Sequence, residues 1–155
     1  MSDPPEARLA ALGLALPPVA APLAAYVPAV RSGQHVYTAG QLPLADGKLL
    51  MTGKVGTQVT VEEGAALART CALNALAAVA SVTGGLSAVT RIVKIVGFVA
   101  SDPSFTGQPL VVNGASELML EVFGDAGRHA RSAVGVAVLP LDAPVEIELI
   151  AVVRD

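Results

Sequence analysis

The hydrophobic positions along this chain follow two different periods, which divide it into strands and helices. Short segments rich in valine, tyrosine and threonine predict strands, and longer runs rich in alanine and leucine predict helices. The predicted strands cover residues 26–30, 34–40, 48–51, 89–100, 132–138 and 145–153. The predicted helices cover residues 5–13, 61–82 and 108–123.

Short polar and glycine signals mark the ends of several of these elements. Thr60 is a favourable helix N-cap residue, and Glu63 three positions later completes a capping-box pattern. Gly84–Gly85 is expected to end that helix, and Gly124 to end the next one. Asp46–Gly47 is a hairpin turn signal, so we expect the chain to fold back antiparallel at that point.

The order of the elements predicts an α+β fold, because strands both precede and follow each of the two long helices. Two helices can cover one face of a sheet of this size and leave the other open. The strand over residues 132–138 places Ala133, Gly135 and Ala137 on one side and three valines on the other, so neither side is polar. We therefore expect the open face to be buried against other subunits.

Composition narrows the class of protein. The 155 residues are 53% hydrophobic and 15% charged, which is typical of a folded domain and not of a disordered chain. We expect one domain over residues 1–155, of which residues 1–20 form an N-terminal extension.

A net charge of −3 without a basic cluster argues against nucleic-acid binding. No metal-ligand spacing or nucleotide-binding loop is present, so no metal is expected.

The single cysteine, Cys71, lies inside the alanine-rich helical run. One cysteine excludes an internal disulfide and indicates a reducing compartment, so we expect a cytoplasmic protein. Its surroundings favour a core thiol over a nucleophile. The stretch 71–89 comes nearest to a membrane span, but Asn74 and the Gly84–Gly85 break favour a buried helix, and no signal peptide is expected at the N-terminus.

Two charged residues within apolar strands are the main candidates for chemistry. Arg131 opens a strand without an acidic residue close behind it, and its planar guanidinium suits a carboxylate. Glu146 and Glu148 share one side of the last strand, where a carboxylate near the arginine could orient a water molecule or carry a proton. The residues alone leave two alternatives open, since each charge is also compatible with an exposed or ion-paired surface position.

Three further residues allow two interpretations each. Gly40 at the end of a strand is typical of a turn, or of a backbone that lines a site. Tyr26 is compatible with a packing residue or a site residue, and Asn113 with a helix cap or a site residue.

Taken together, these residues resemble the reactive intermediate deaminase superfamily, also called Rid or YjgF, over roughly Tyr26 to the C-terminus. The most specific part is the interval from the arginine to the last strand, with its Leu–Pro turn. The matching positions are Tyr26, Thr38–Pro43, Asn113, Glu117, Arg131–Val134, Leu139–Pro140 and Val145–Glu148.

The resemblance implies a chorismate-mutase-like α+β fold with two helices on one face of the sheet, and a homotrimer with clefts between subunits. It implies hydrolysis of reactive enamines and imines, such as 2-aminoacrylate, to 2-keto acids and ammonia without a cofactor. In this interpretation Arg131 binds the substrate carboxylate and Glu146 holds the attacking water. The remaining cleft residues are Tyr26, Gly40, Asn113 and Ala133.

The chain departs from the superfamily pattern in ways that affect the substrate. Ala39 and Ala133 stand where the main enzymes have small polar residues, the interval from Asn113 to Arg131 is one residue longer, and the loop 127–129 can supply a different wall. A second hypothesis is therefore a non-catalytic trimer that binds small carboxylates in a regulatory or chaperone-like role. RNA cleavage is disfavoured by the acidic balance, and chorismate mutase activity has only the fold in its favour.

Overall fold

The computed structural model describes residues 3–155, which form a five-stranded sheet, a separate two-stranded hairpin and three α-helices. The helices are α1 (Pro5–Ala11), α2 (Val61–Thr83) and α3 (Gln108–Phe123). The strands are β1 (Ala29–Ser32), β2 (His35–Thr38), β3 (Leu44–Ala45), β4 (Lys48–Leu49), β5 (Val89–Ala100), β6 (Ala130–Val136) and β7 (Val145–Val153). Short 3₁₀ turns flank β5, β6 and β7.

The predicted boundary signals of α2 are confirmed. Thr60 Oγ1 accepts a hydrogen bond from the Glu63 backbone N–H at 3.1 Å, and the Glu63 carboxylate accepts one from the Thr60 N–H at 2.9 Å. At the other end Gly84 has φ of +80°, a left-handed conformation that glycine adopts without strain. The Asp46–Gly47 turn joins β3 and β4 as an antiparallel hairpin, which is also as predicted.

The sheet has the order β1-β2-β7-β5-β6, and only the pairing of β5 with β6 is parallel. Both long helices pack on one face of it, α2 mainly against β7 and α3 mainly against β5 and β6. Alternate residues of β7, among them Ile147 and Leu149, are buried beneath the helices together with Ile95 of β5. The predicted α+β fold with two helices on one face of the sheet is confirmed.

Cys71 lies in this core and is fully buried. Burial raises the pKa of its thiol, and the nearby negative charge of Glu146 raises it further. The core-thiol interpretation is therefore confirmed. Helix α2 around it is long and apolar enough to cross a membrane by length and composition alone, but 56% of the relevant stretch is buried against the rest of the chain.

The opposite face of the sheet has no helix over it among the described residues. Val30, Tyr37 and Ile150 face it in one row across β1, β2 and β7, and Val30 and Tyr37 are 51% and 45% exposed. Val134 of β6 lies on the same face and is 44% exposed. The sheet therefore presents apolar side chains on both faces, as the pattern predicts.

Several predicted strand ends were wrong because they depend on pairing partners. The first strand starts at Ala29, after Pro28, so Tyr26 precedes the sheet. The second ends at Thr38, which leaves Gly40 just beyond it. The predicted strand 132–138 instead covers Ala130–Val136, because its parallel partner β5 pairs with it from Lys94 to Ala100 and then ends. Arg131 therefore lies inside a strand and not before one.

Candidate functional site

Arg131 points toward the helical layer. Its Cα partner on β5 is Ile95, which is fully buried beneath α3. The guanidinium donates three hydrogen bonds to α3: Nη1 to Asn113 Oδ1 at 2.8 Å and to Ser116 Oγ at 3.2 Å, and Nη2 to the Pro109 carbonyl at 3.3 Å. Residues 109, 113 and 116 share one face of the helix because they follow its i, i+4, i+7 spacing.

All three acceptors around Arg131 are neutral, and no carboxylate among residues 3–155 forms an ion pair with it. A guanidinium has five N–H donors, so the Nε–H and one Nη2–H are left for another acceptor. The arginine is thus a fixed cation with two unused N–H donors, an arrangement that suits the binding of a carboxylate.

The interpretation of Asn113 as a helix cap is wrong, because Gly107 holds the N-cap position of α3. Asn113 orients Arg131 instead. Ser116, which the sequence reasoning missed, does the same, and its Oγ also lies 2.9 Å from His129 Nε2. The position of Ser116 three residues after Asn113, on the same face of the helix, was the available signal.

Glu146 lies on the other face of the sheet. Its partner on β5 is Phe98, one position out of phase with the core residue Val99. The side chain is half-buried and makes no hydrogen bond or ion pair with residues 3–155. Burial raises the pKa of its carboxyl group, and the negative charge of Glu148 adds to this. A carboxylate that binds a proton more readily than usual suits a proton acceptor.

Gly40 lies against Glu146, and Tyr26 lines a small cavity together with Gly40. The Glu146 carboxylate packs so closely on Gly40 that a Cβ at this position would overlap it, so the glycine makes room for the carboxylate. Tyr26 and Gly40 line one small cavity of about 30 Å³, and the Tyr26 hydroxyl accepts a hydrogen bond from the Leu23 N–H at 3.2 Å. Tyr26 is 45% exposed, so it is not a core packing residue.

Arg131 and Glu146 thus lie on opposite faces of the sheet, and the other predicted site residues group around one or the other. Ala133 lies on the face of Arg131, since it is level with Gly97 and the buried Ile147. We call Arg131, Asn113, Ser116 and Ala133 the arginine half-site, and Glu146, Gly40 and Tyr26 the glutamate half-site. Within one chain the sheet separates the two half-sites.

No metal centre is evident in the part of the chain from residue 3 to residue 155, where no three histidine, cysteine, aspartate or glutamate side chains come together as ligands. The half-sites therefore offer an organic cation, a carboxylate and hydrogen-bonding groups. They suit the binding of a small anion and the transfer of a proton to or from water.

Comparisons with known proteins match most of this chain to a family. Residues 6–153 match the family described as "YjgF/chorismate_mutase-like, putative endoribonuclease". Protein TCP17 of Trypanosoma cruzi is 50% identical over 143 residues, which are 92% of this chain and 89% of that protein.

Two solved structures are similar over most of the chain. Atu1372 from Agrobacterium tumefaciens, described as of unknown function, is 48% identical, with a TM-score of 0.90 over 97% of this chain and 92% of that one. E. coli TdcF with bound serine is 27% identical, with a TM-score of 0.65 over 88% of this chain and 94% of that one.

Proposed function

This chain belongs to the YjgF/chorismate mutase-like family, and we propose that it hydrolyses enamines or imines of small 2-amino acids to 2-keto acids and ammonia. The observation that carries the proposal is Arg131, a guanidinium held by three neutral acceptors with two N–H donors left for a substrate carboxylate. The bound serine of the E. coli TdcF structure supports a ligand of amino-acid size and charge.

The chemistry follows from the two half-sites. An enamine such as 2-aminoacrylate first takes its imine form, in which C2 is electrophilic. Water adds to C2, the C=N π electrons move to nitrogen, and Glu146 accepts the proton that the water loses. Glu146 returns this proton to the nitrogen, and the proton of the hydroxyl left on C2 follows it by way of the same carboxylate, so the C–N bond breaks, ammonia leaves and the C2–O bond becomes a carbonyl. Arg131 holds the carboxylate throughout and so keeps C2 next to the water.

We further propose that the working unit is a homotrimer in which Arg131 of one subunit meets Glu146 of the next. The placement of the half-sites on opposite faces of the sheet supports this, because one chain alone cannot bring them to one substrate. The exposed apolar face, with Val30, Tyr37 and Val134, supports association in the same way. A native mass three times the 15.6 kDa of one chain would support the trimer, and a monomer or dimer would contradict it.

Hydrolysis of 2-aminoacrylate or its four-carbon homologue, generated in the assay by an amino-acid dehydratase, is the direct test. We expect the purified protein to accelerate 2-keto acid release over the uncatalysed rate. Replacement of Glu146 by glutamine should lower kcat at least about a hundredfold, since a positioned proton acceptor contributes about 10²–10⁴. No acceleration with any imine of the panel would refute the proposed activity.

The pH dependence of kcat tests the role of Glu146. A base must be ionised to accept a proton, so kcat should rise with pH along a limb that lies above the ordinary Glu value of 4.5, because the pKa of Glu146 is raised. Glu148→Gln removes the charge that contributes to this, so the limb should move to lower pH. Glu117→Gln, on the exposed face of α3, is the matched control and should leave the limb in place.

A second candidate is a trimer that binds small carboxylates without turnover. Ala133 beside the anchor and Ala39 beside Gly40 favour it, because neither offers a polar side chain to a substrate. Binding of pyruvate with no imine hydrolysis would support this candidate.

The endoribonuclease activity in the family description is not proposed for this chain, because the net charge is −3 and no basic cluster is available to bind phosphates. A free buried thiol at Cys71 supports our proposal of a cytoplasmic location.

A further inference from the structure

A chain of hydrogen bonds leads away from Arg131 and ends on a fixed backbone carbonyl. Arg131 Nη1 donates to Ser116 Oγ at 3.2 Å, Ser116 Oγ lies 2.9 Å from His129 Nε2, and His129 Nδ1 lies 2.6 Å from the Gly127 carbonyl oxygen. The neighbouring loop was expected to supply a wall of the cleft. The His129 ring of this loop turns toward α3.

For a neutral His129 ring, the direction of every bond in this chain is fixed. A carbonyl oxygen only accepts, so His129 Nδ1 carries a hydrogen and donates it to Gly127. In the neutral ring Nε2 is then the acceptor, so the Ser116 hydroxyl donates to it. The Ser116 oxygen is left with its lone pairs directed to Arg131. Each group has one role, which fixes the hydroxyl as an acceptor for the guanidinium.

The end of the chain is rigid. Gly127 is buried and packs so tightly on the Met119 carbonyl that a Cβ would overlap the backbone of α3. The Gly127 carbonyl that receives His129 is therefore held by the same helix that carries Ser116. The hydrogen bonds thus run from Ser116 on α3 to His129 in the loop before β6, and return to α3 through Arg131 of β6. The side chains of all three residues are half-buried.

We propose that Ser116 and His129 are positioning residues, which hold the Arg131 guanidinium so that its Nε–H and remaining Nη2–H face a substrate carboxylate. This rests on the proposed function for the identity of the ligand. Without the Ser116 acceptor, one Nη1–H loses its partner and the guanidinium can rotate about its last side-chain bonds. Without His129, the Ser116 hydroxyl is free to turn its hydrogen toward the arginine.

Two substitutions break the network at different points. Ser116→Ala removes the acceptor, and His129→Phe keeps a ring of similar size without nitrogen atoms. We expect each to raise the Kd for pyruvate about tenfold, and to raise KM for the imine more than it lowers kcat, because an anchor in the wrong place weakens binding first. The double variant should bind about as weakly as the weaker single variant, since both act through one chain of contacts.

The controls separate positioning from folding. Ser116→Thr retains the hydroxyl and should restore binding to within about twofold of the original. His35→Phe changes the chain's other histidine, which is exposed on β2 and stacks on Tyr37, and should bind pyruvate normally. Thermal melts of all variants, run in parallel, identify any variant that does not fold. If His129→Phe does not fold, the pyruvate affinities of Ser116→Thr and Ser116→Ala still test the positioning role.

A nuclear magnetic resonance measurement gives a readout that needs no activity. The Nε–Hε signal of Arg131 should be ordered in the unchanged protein and in Ser116→Thr, and more mobile in Ser116→Ala and His129→Phe. Unchanged order and unchanged pyruvate affinity in both disrupting variants would overturn the proposal. If pyruvate binds and no imine is hydrolysed, the proposed function fails, while the Kd and the Nε–Hε order still decide the positioning role.

Discussion

Replacement of Arg131 by alanine is expected to lower kcat/KM for imine hydrolysis about a thousandfold, since removal of one partner of a desolvated charge pair costs 3–5 kcal/mol. The guanidinium is the fixed cation that we propose for the substrate carboxylate, and its neutral neighbours Asn113 and Ser116 cannot replace the charge. Steady-state kinetics with an enzymatically generated imine would measure the loss. The matched control is Arg128→Ala, because Arg128 is an exposed arginine paired with Asp125 at 3.2 Å.

The same variant tests where the site lies. Mixing Arg131→Ala with Glu146→Gln, after unfolding and refolding them together, should restore activity if the cleft lies between subunits. At equal amounts about a quarter of the clefts then receive Arg131 from one chain and Glu146 from the other. If both residues served the same substrate from within one chain, no mixed trimer would contain an intact site. Failure to recover activity in verified mixed trimers would therefore refute the intersubunit site.

Much of the fold could be predicted from the sequence where local signals are strong. Strands β5 and β7 were predicted with their observed ends, 89–100 and 145–153, because runs of β-branched residues are bounded by turn signals. Helix α2 extends one residue beyond the prediction, to Thr83, since its capping box and its glycine stop are both local. The ends of β1 and β6 were missed because hydrogen-bonding partners distant in sequence decide them.

The candidate site was predictable in parts and not as an arrangement. Arg131 and Glu146 stand out because charge is rare in this chain. Nothing in the sequence says that β5 lies between their two strands, with a register that sets the residues on opposite faces. In the sequence, His129 is only one residue of the loop 127–129, two positions before Arg131. Its contact with Ser116 depends on the parallel pairing of β5 and β6, which brings the strand beside α3.

The arrangement also shows why α3 matters to the site. Asn113, Ser116 and the Pro109 carbonyl all belong to this helix, so the orientation of Arg131 follows the position of α3 on the rest of the chain. That position is set mainly by α2, which packs along α3 through small residues. A change at the contact between the helices should therefore affect both stability and the arginine half-site.

Gly114→Ala is expected to destabilise the protein by about 3 kcal/mol, even though alanine gains about 1 kcal/mol of helix propensity over glycine. A Cβ at Gly114 would overlap the carbonyl oxygen of Ala65 on α2, and a backbone atom cannot rotate away as a side chain can. The two helices would have to separate. Urea unfolding at one fixed protein concentration would measure the loss, since the stability of an oligomer depends on concentration.

Gly64→Ala is the matched control, because Gly64 lies on the other helix of the same contact. Its Cβ would meet Val111 Cγ1 at 3.2 Å, a side-chain atom that can shift by a few tenths of an ångström. We therefore expect stability to change by less than about 1 kcal/mol, with the propensity gain offsetting the crowding. Equal losses of unfolding free energy in the two variants would mean that α2 and α3 shift apart in the same way in both. The close approach of the Gly114 and Ala65 backbones would then not set the position of α3.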